Sequence, residues 1–150
     1  MNHESMAVRY FRRLLVFSGL FNILLATPLI LPGVADRYLF FLSDLNLALR
    51  LGGLPYVLPL HPAHSLLINT AGIDLVLIGS MVIYASRDLQ GRRGIVLLNA
   101  VGRLLFAVIA CYYVLAMNLM RLVLLVGFID VAISIGIIGF LLVPGRPDRQ

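Results

Sequence analysis

The chain has 150 residues, 61% hydrophobic and 13% charged, with a mean hydropathy of +0.98. A soluble domain is about 45–50% apolar and about 25% charged, so this composition excludes an ordinary soluble fold and points to a single membrane-embedded domain. The net charge of +5 comes from 12 basic residues, all arginine, which flank apolar runs and so read as orienting charges in a bilayer rather than a nucleic-acid surface.

The first apolar run covers about Leu14–Leu31, preceded by Arg9, Arg12 and Arg13. Its basic start and the small residues Gly33 and Ala35 resemble a secretory signal. The run exceeds the usual signal core of about 7–15 residues, and Asn22 interrupts it, so it is read as a retained span. About 32 residues follow before the next run, rich in Leu and Phe. Asp36 can cap a short helix through Leu51, stopped by Gly52-Gly53. Residues 36–51 are therefore expected to lie on, or re-enter, the outer membrane face as an interfacial helical cover. Pro55, Pro59 and Pro62 hold the return extended.

Three more runs follow, at about Leu66–Ala85, Ile95–Met117 and Leu122–Val143. Each of the four is long enough to cross a hydrocarbon core of about 30 Å at about 1.5 Å per residue. None alternates as a barrel strand would. The turn with Arg87, Arg92 and Arg93 makes the second and third spans an antiparallel hairpin, and the last two spans join almost directly near Asn118–Arg121. Pro144 and Pro147 end the fourth span. Arg9, Arg12 and Arg13, the hairpin arginines, and Arg146 and Arg149 fall on one side of four crossings, whereas Arg37, Arg50 and Arg121 fall on the other. The expected fold is an all-α membrane protein, a four-transmembrane-helix bundle with both termini cytoplasmic. No soluble domain is expected at either end.

Four polar residues sit deep in the runs: Asn22, Asp74, Arg103 and Asp130. A central charge costs roughly 2.5–3.5 kcal/mol on insertion scales, so such residues usually face the bundle interior and find partners. At helical spacing Ser18 joins Asn22, Thr70 joins Asp74, Asn99 joins Arg103 and Ser134 joins Asp130. Gly72, Gly79 and Gly127 would let backbones approach. The expected centre is Arg103 between Asp74 and Asp130, with Asn22, Asn99 and Asn69 as further polar-core or ligand-binding candidates. Depth along the helix axes leaves a gap of about 6 Å between Arg103 and the aspartates, and because side chains lean toward the N-terminus of their own helix, the leaning widens it. Three readings follow: a structural charge cluster, a ligand or proton site in the gap, or an arginine that snorkels to the cytoplasmic face.

Other candidates are weaker. His61 and His64 offer two metal or haem ligands without a third. Asn69 suits a hydrogen bond across helices, and Tyr112 and Tyr113 read as belt aromatics. The single cysteine, Cys111, excludes an internal disulfide or a Cys-based metal cluster. There is no nucleophile–base pair, phosphate-binding glycine loop, or haem or flavin motif, so neither an enzyme nor a bound cofactor is expected. A faint internal echo aligns FNILLA (21–26) with GRLLFA (102–107), and GIDLVLIGS (72–80) with FIDVAISIG (128–136). It fits a duplicated two-helix unit, or chance similarity between Leu/Ile-rich segments.

The segments RRLLVFSGLFNILLATPLILPG, DLNLALRLGG, NTAGIDLVLIGSMVIYASRDL, NAVGRLLF and GFIDVAIS, taken in order, resemble the BphX-like family of small bacterial membrane proteins. The family is named for a member encoded among biphenyl-degradation genes, and the resemblance covers residues 9 to about 140. It also extends, less specifically, to the DoxX-like four-helix group. The resemblance implies a bacterial inner-membrane protein working near aromatic-compound catabolism, and it carries no catalytic residues. Three functions are expected to compete. One is binding or transport of a small, aromatic or weakly acidic molecule near the charge cluster. The others are an accessory or structural membrane subunit and a redox-linked quinone or haem subunit. Expected partners are the lipid bilayer and a second copy or a membrane complex, with no nucleic acid.

Overall fold

The computed structural model describes residues 6–59 and 61–142. They form five helices: α1 (Met6–Ile30), α2 (Val34–Ala48), α3 (Pro62–Ala85), α4 (Arg93–Ala116) and α5 (Leu122–Leu142). Four of them, all but α2, are long and apolar enough to cross a membrane. The expected end of the last span at Val143, Pro144 and Pro147, and the tail arginines Arg146 and Arg149, lie outside the described residues.

The helix boundaries follow local chemistry. Helix α1 starts well before Leu14, because Arg9, Arg12 and Arg13 are part of its first turns, while Val8, Phe11 and Leu15 turn inward. Helix α3 starts at Pro62 rather than Leu66. His61 caps it, its Nδ1 accepting the Ala63 N–H at 3.2 Å, and proline is preorganised for the first helical position. Asp36 does not cap α2. That position belongs to Gly33 at φ 77°, and Asp36 lies within the first turn. Beyond α2 the chain reverses through Arg50, Gly52 and Gly53, all at positive φ. At Gly53 a Cβ would also collide with the backbone of Leu119, so this position requires glycine twice over.

Helices α1 and α3 pack as one antiparallel pair and α4 and α5 as another. The expected hairpin of α3 and α4 is joined by its short turn, yet these two helices pack far less than the two pairs do. In the first pair the backbones nearly touch. A Cβ on Gly19 would lie 2.5 Å from the Gly79 carbonyl oxygen, and one on Gly72 would lie 2.8 Å from Leu29 Cβ. Such approach lets dispersion and carbonyl contacts hold helices together where lipid supplies no hydrophobic driving force. Helix α1 also ends here. The Leu29 carbonyl, one of the last four without an intrahelical partner, accepts a hydrogen bond from Asn69 Nδ2 at 2.7 Å. Gly127 is looser than expected, with only Ala107 and Ala110 within 4 Å of its Cβ position.

The two pairs join at the arginine-rich end through a core of Phe11, Leu15, Val82, Ala85, Val96, Ala100, Ile133 and Ile137. Arg12 Nε donates to the Ser86 carbonyl at 2.9 Å, and Arg93 donates to the Leu141 carbonyl, so these arginines also fasten helix ends. At the opposite end α2 is tied to the α4–α5 turn. Asn46, 1% exposed, donates to the Gly52 carbonyl at 3.0 Å and accepts from the Leu122 N–H at 2.9 Å. Leu54 N–H donates to the Asn118 carbonyl at 2.7 Å. Elsewhere the surface is apolar, with Leu24, Leu66, Val108, Leu115 and Phe128 each more than half exposed. That is the surface expected of helices that face lipid, and the protein is a multi-pass membrane protein.

Gly79→Leu is expected to split the first pair and cost at least about 1–3 kcal/mol of stability in detergent, the penalty of overpacking a tight contact. Gly139→Ala, where an added Cβ meets nothing within 4 Å, should raise stability by up to about 1 kcal/mol. Thermal unfolding of the two variants followed by circular dichroism distinguishes them.

Candidate functional site

Three of the four helical polar stripes converge. Arg103, 5% exposed, donates from Nη1 to Asp130 Oδ1 across the α4–α5 interface. Its Nη2 donates to the Ser18 carbonyl and to Asn22 Oδ1, each at 2.7 Å, and so reaches α1 in the other pair. Asn99, one turn before Arg103, lies 3.4 Å from Ser18 Oγ. Ser134, one turn beyond Asp130, donates to the Asp130 and Ala100 carbonyls at 2.8 and 3.1 Å. The guanidinium carbon stands 5.9 Å from the centre of the Phe21 ring. Arg103 Nε is buried with no hydrogen-bond partner among the described residues.

This arrangement selects among the expected readings. Arg103 does not snorkel. Its side chain closes the gap and joins three helices, and only arginine offers several fixed donors on one planar group for that purpose. The Ser18 carbonyl is the acceptor that sequence reading missed. A carbonyl oxygen has two lone pairs, so Ser18 in mid-helix can accept from the guanidinium as well as within the helix; the only sequence signal was the Ser18–Asn22 spacing.

Asp74 is not part of the cluster, contrary to expectation. It is exposed on the outward face of α3 and makes no hydrogen bond among the described residues. The reason is the glycine seam. Gly72 and Gly79 lie about 160° and 140° around the helix from Asp74, so turning them onto α1 turns the carboxylate away. Asn69 is also outside the cluster, occupied with the end of α1. His61 and His64 are exposed, with ring centres 6.3 Å apart, and His61 serves as a helix cap. No group of three His, Cys, Asp or Glu suited to a metal occurs among the described residues.

The weak packing of α3 on α4 leaves space between the pairs. A cavity of about 580 Å³ has Asn22, Asn99, Arg103 and Asp130 among its lining. Its walls are otherwise mainly apolar, including Phe21, Leu25, Ile78 and Phe106. Tyr38, Leu39 and Leu42 of α2 close one side. The volume lies within the roughly 300–1,000 Å³ usual for small-molecule pockets. Asp74 is not among the lining residues.

A second polar network fixes the cover. Tyr56 O–H donates to Asp36 Oδ1 at 2.9 Å, and the Tyr56 N–H donates to Ser43 Oγ at 3.0 Å. Burial, then the hydrogen bond to Asp36 and its negative charge, push the Tyr56 phenol up to about 12. Tyr38 is raised as well, by burial.

Comparison with family models, with curated proteins and with solved structures returns no match. The fold and site therefore define a class from within: a multi-pass helical membrane protein with a buried Arg–Asp pair beside a covered apolar cavity.

Removing one member of the pair, by Arg103→Met or Asp130→Leu, is expected to cost about 3–5 kcal/mol, because the survivor is left buried and uncompensated. The double variant should recover most of that loss, whereas Asp74→Leu should leave unfolding nearly unchanged; detergent-titrated unfolding of all four chains checks the set. A separate expectation concerns pH. A phenol whose folded value is raised stabilises the fold below its ordinary value of about 10, and that contribution is lost as pH climbs toward about 12. Ultraviolet difference titration of the protein against Tyr56→Phe should place the phenolate signal near the upper figure. Asp36→Asn should bring it part of the way back.

Proposed function

We propose that this protein binds a small, neutral, largely apolar molecule in the cavity between its helix pairs, with Arg103 as the polar contact. The cavity carries the reading. Its walls are mainly hydrocarbon and aromatic, and its one fixed cation is already balanced by Asp130. A neutral guest then loses little solvation on entry, whereas a free anion would compete with the carboxylate already on the guanidinium. Arg103 donates three hydrogen bonds from five N–H groups; with Nε buried, one Nη1 N–H is left for an acceptor oxygen on a guest. The resemblance to BphX-like proteins supports an aromatic guest and a bacterial inner-membrane location. The arginine asymmetry supports cytoplasmic termini, with α2 as the interfacial cover on the outer side.

A second reading has its own support. All three bonds from Arg103 run to other helices, the pattern of a structural staple in an accessory membrane subunit. Cavity and staple are separable by experiment. Gly102 lines the cavity, and a Cβ there meets nothing within 4 Å. Gly102→Leu should fill the space without clash and leave the fold at least as stable, since leucine is the better helix former by just under about 1 kcal/mol. Thermal unfolding is then measured with 2-hydroxybiphenyl and with biphenyl. The wild-type protein should be stabilised by the hydroxylated compound, by about 2.7 kcal/mol at a hundredfold excess over Kd, and Gly102→Leu should not respond. Equal responses in both chains, or none in the wild type, would leave the accessory-subunit reading.

A further inference from the structure

Asp74 has no role in the cavity or the staple. The face of α3 around it bears Thr70, Ala71 and Leu77, all exposed and none of them lining the cavity. An exposed leucine suits lipid, but a carboxylate in mid-span does not.

The two helix pairs give a measure of what is uncovered. At the spacing of the internal echo, the α4 residues Val96, Asn99, Ala100 and Ala107 match Leu15, Ser18, Gly19 and Ala26 of α1, and both sets are buried. The α5 residues Gly127, Asp130, Ile133, Ser134 and Ile137 match Ala71, Asp74, Leu77, Ile78 and Met81 of α3. Every one of the five is buried in α5, and every one is exposed in α3, Ile78 and Met81 toward the cavity and Ala71, Asp74 and Leu77 outside it. In α5 this stripe is where the bundle meets Arg103 of α4. The matching stripe of α3 keeps its aspartate but has no arginine-bearing helix on it.

We propose that this face of α3 is a docking surface for a transmembrane helix of another protein, one that carries an arginine or lysine at the level of Asp74. Charge complementarity chooses the occupant. The only basic residue in the middle of the described spans is Arg103, and it is already bound to Asp130, Ser18 and Asn22. A second copy in this fold therefore brings another Asp74 but no free cation. A partner helix with a basic residue neutralises the carboxylate as α4 neutralises Asp130, and Thr70, one turn away, offers a hydroxyl to the same partner.

The test uses the full chain in phospholipid vesicles, labelled with a donor dye on Cys111, its single and exposed cysteine. The probe is a synthetic Leu/Ala membrane-spanning helix with one central arginine and an acceptor dye, and the control probe has leucine at that position. Energy transfer to the arginine probe should reach half-saturation at a density at least about tenfold lower than to the control, a difference of about 1.4 kcal/mol. Asp74→Leu should remove the preference, Asp74→Asn should weaken it, and Asp74→Glu should keep it. Equal transfer to both probes, or a preference that survives Asp74→Leu in a chain with unchanged helix content, overturns the proposal. So does Asp74-dependent transfer between donor- and acceptor-labelled copies of the chain alone, which would assign the face to a second copy.

Discussion

The bond from Arg103 to Asp130 is the interaction on which the rest of this bundle depends. In a bilayer no water waits to take up an exposed charge, so an arginine in mid-span must be answered by the protein itself. Here the answer comes from three helices. The carboxylate of α5 balances the charge, and the Ser18 carbonyl and Asn22 amide of α1 take donors that the carboxylate does not reach. The two helix pairs have little else in common at this level, because the cavity separates them. The guanidinium is thus both a neutralised charge and the crosspiece that sets the distance between the pairs.

That crosspiece explains why an open space is tolerated. The pairs are pinned at the arginine-rich end by the Phe11–Ile137 core and in the middle by Arg103. At the other end, α2 is laced to the α4–α5 turn through Asn46, Gly52 and Leu122. Between these fixed points the helices can stand apart without sliding, and apart from the polar residues at Arg103 and Tyr38 of α2 the space is lined by side chains that need no hydrogen-bond partner. Rigid supports around a mostly apolar cavity with one polar contact are what a binding site for a small hydrophobic molecule requires.

Much of this was legible in the residues. Four spans and the i, i+4 polar stripes follow from hydropathy and helical period, and those two rules hold wherever lipid meets a helix. Charge and depth placed Arg103 between Asp74 and Asp130; of the two it meets Asp130. The fate of Asp74 was not legible. Its residue type and depth match those of Asp130, yet it faces outward. The difference lies in Gly72 and Gly79, which pack α3 so closely on α1 that the opposite face, with Asp74, is turned away from the cluster. The histidines are similar: His61 is spent on capping α3, a role visible only once the helix start is known.

The sequence by itself determined the class of protein, the number of spans and which polar residues lie at mid-depth, because these depend on composition and on the fixed rise of the helix. Only the tertiary structure decided which polar residues meet. That choice depends on helix rotation and pairing, which are set by backbone contacts at Gly19, Gly72 and Gly79, and by a backbone carbonyl at Ser18. Neither appears as a side-chain pattern. The same contacts produced the cavity and left Asp74 on an uncovered face, the two features from which its function is inferred.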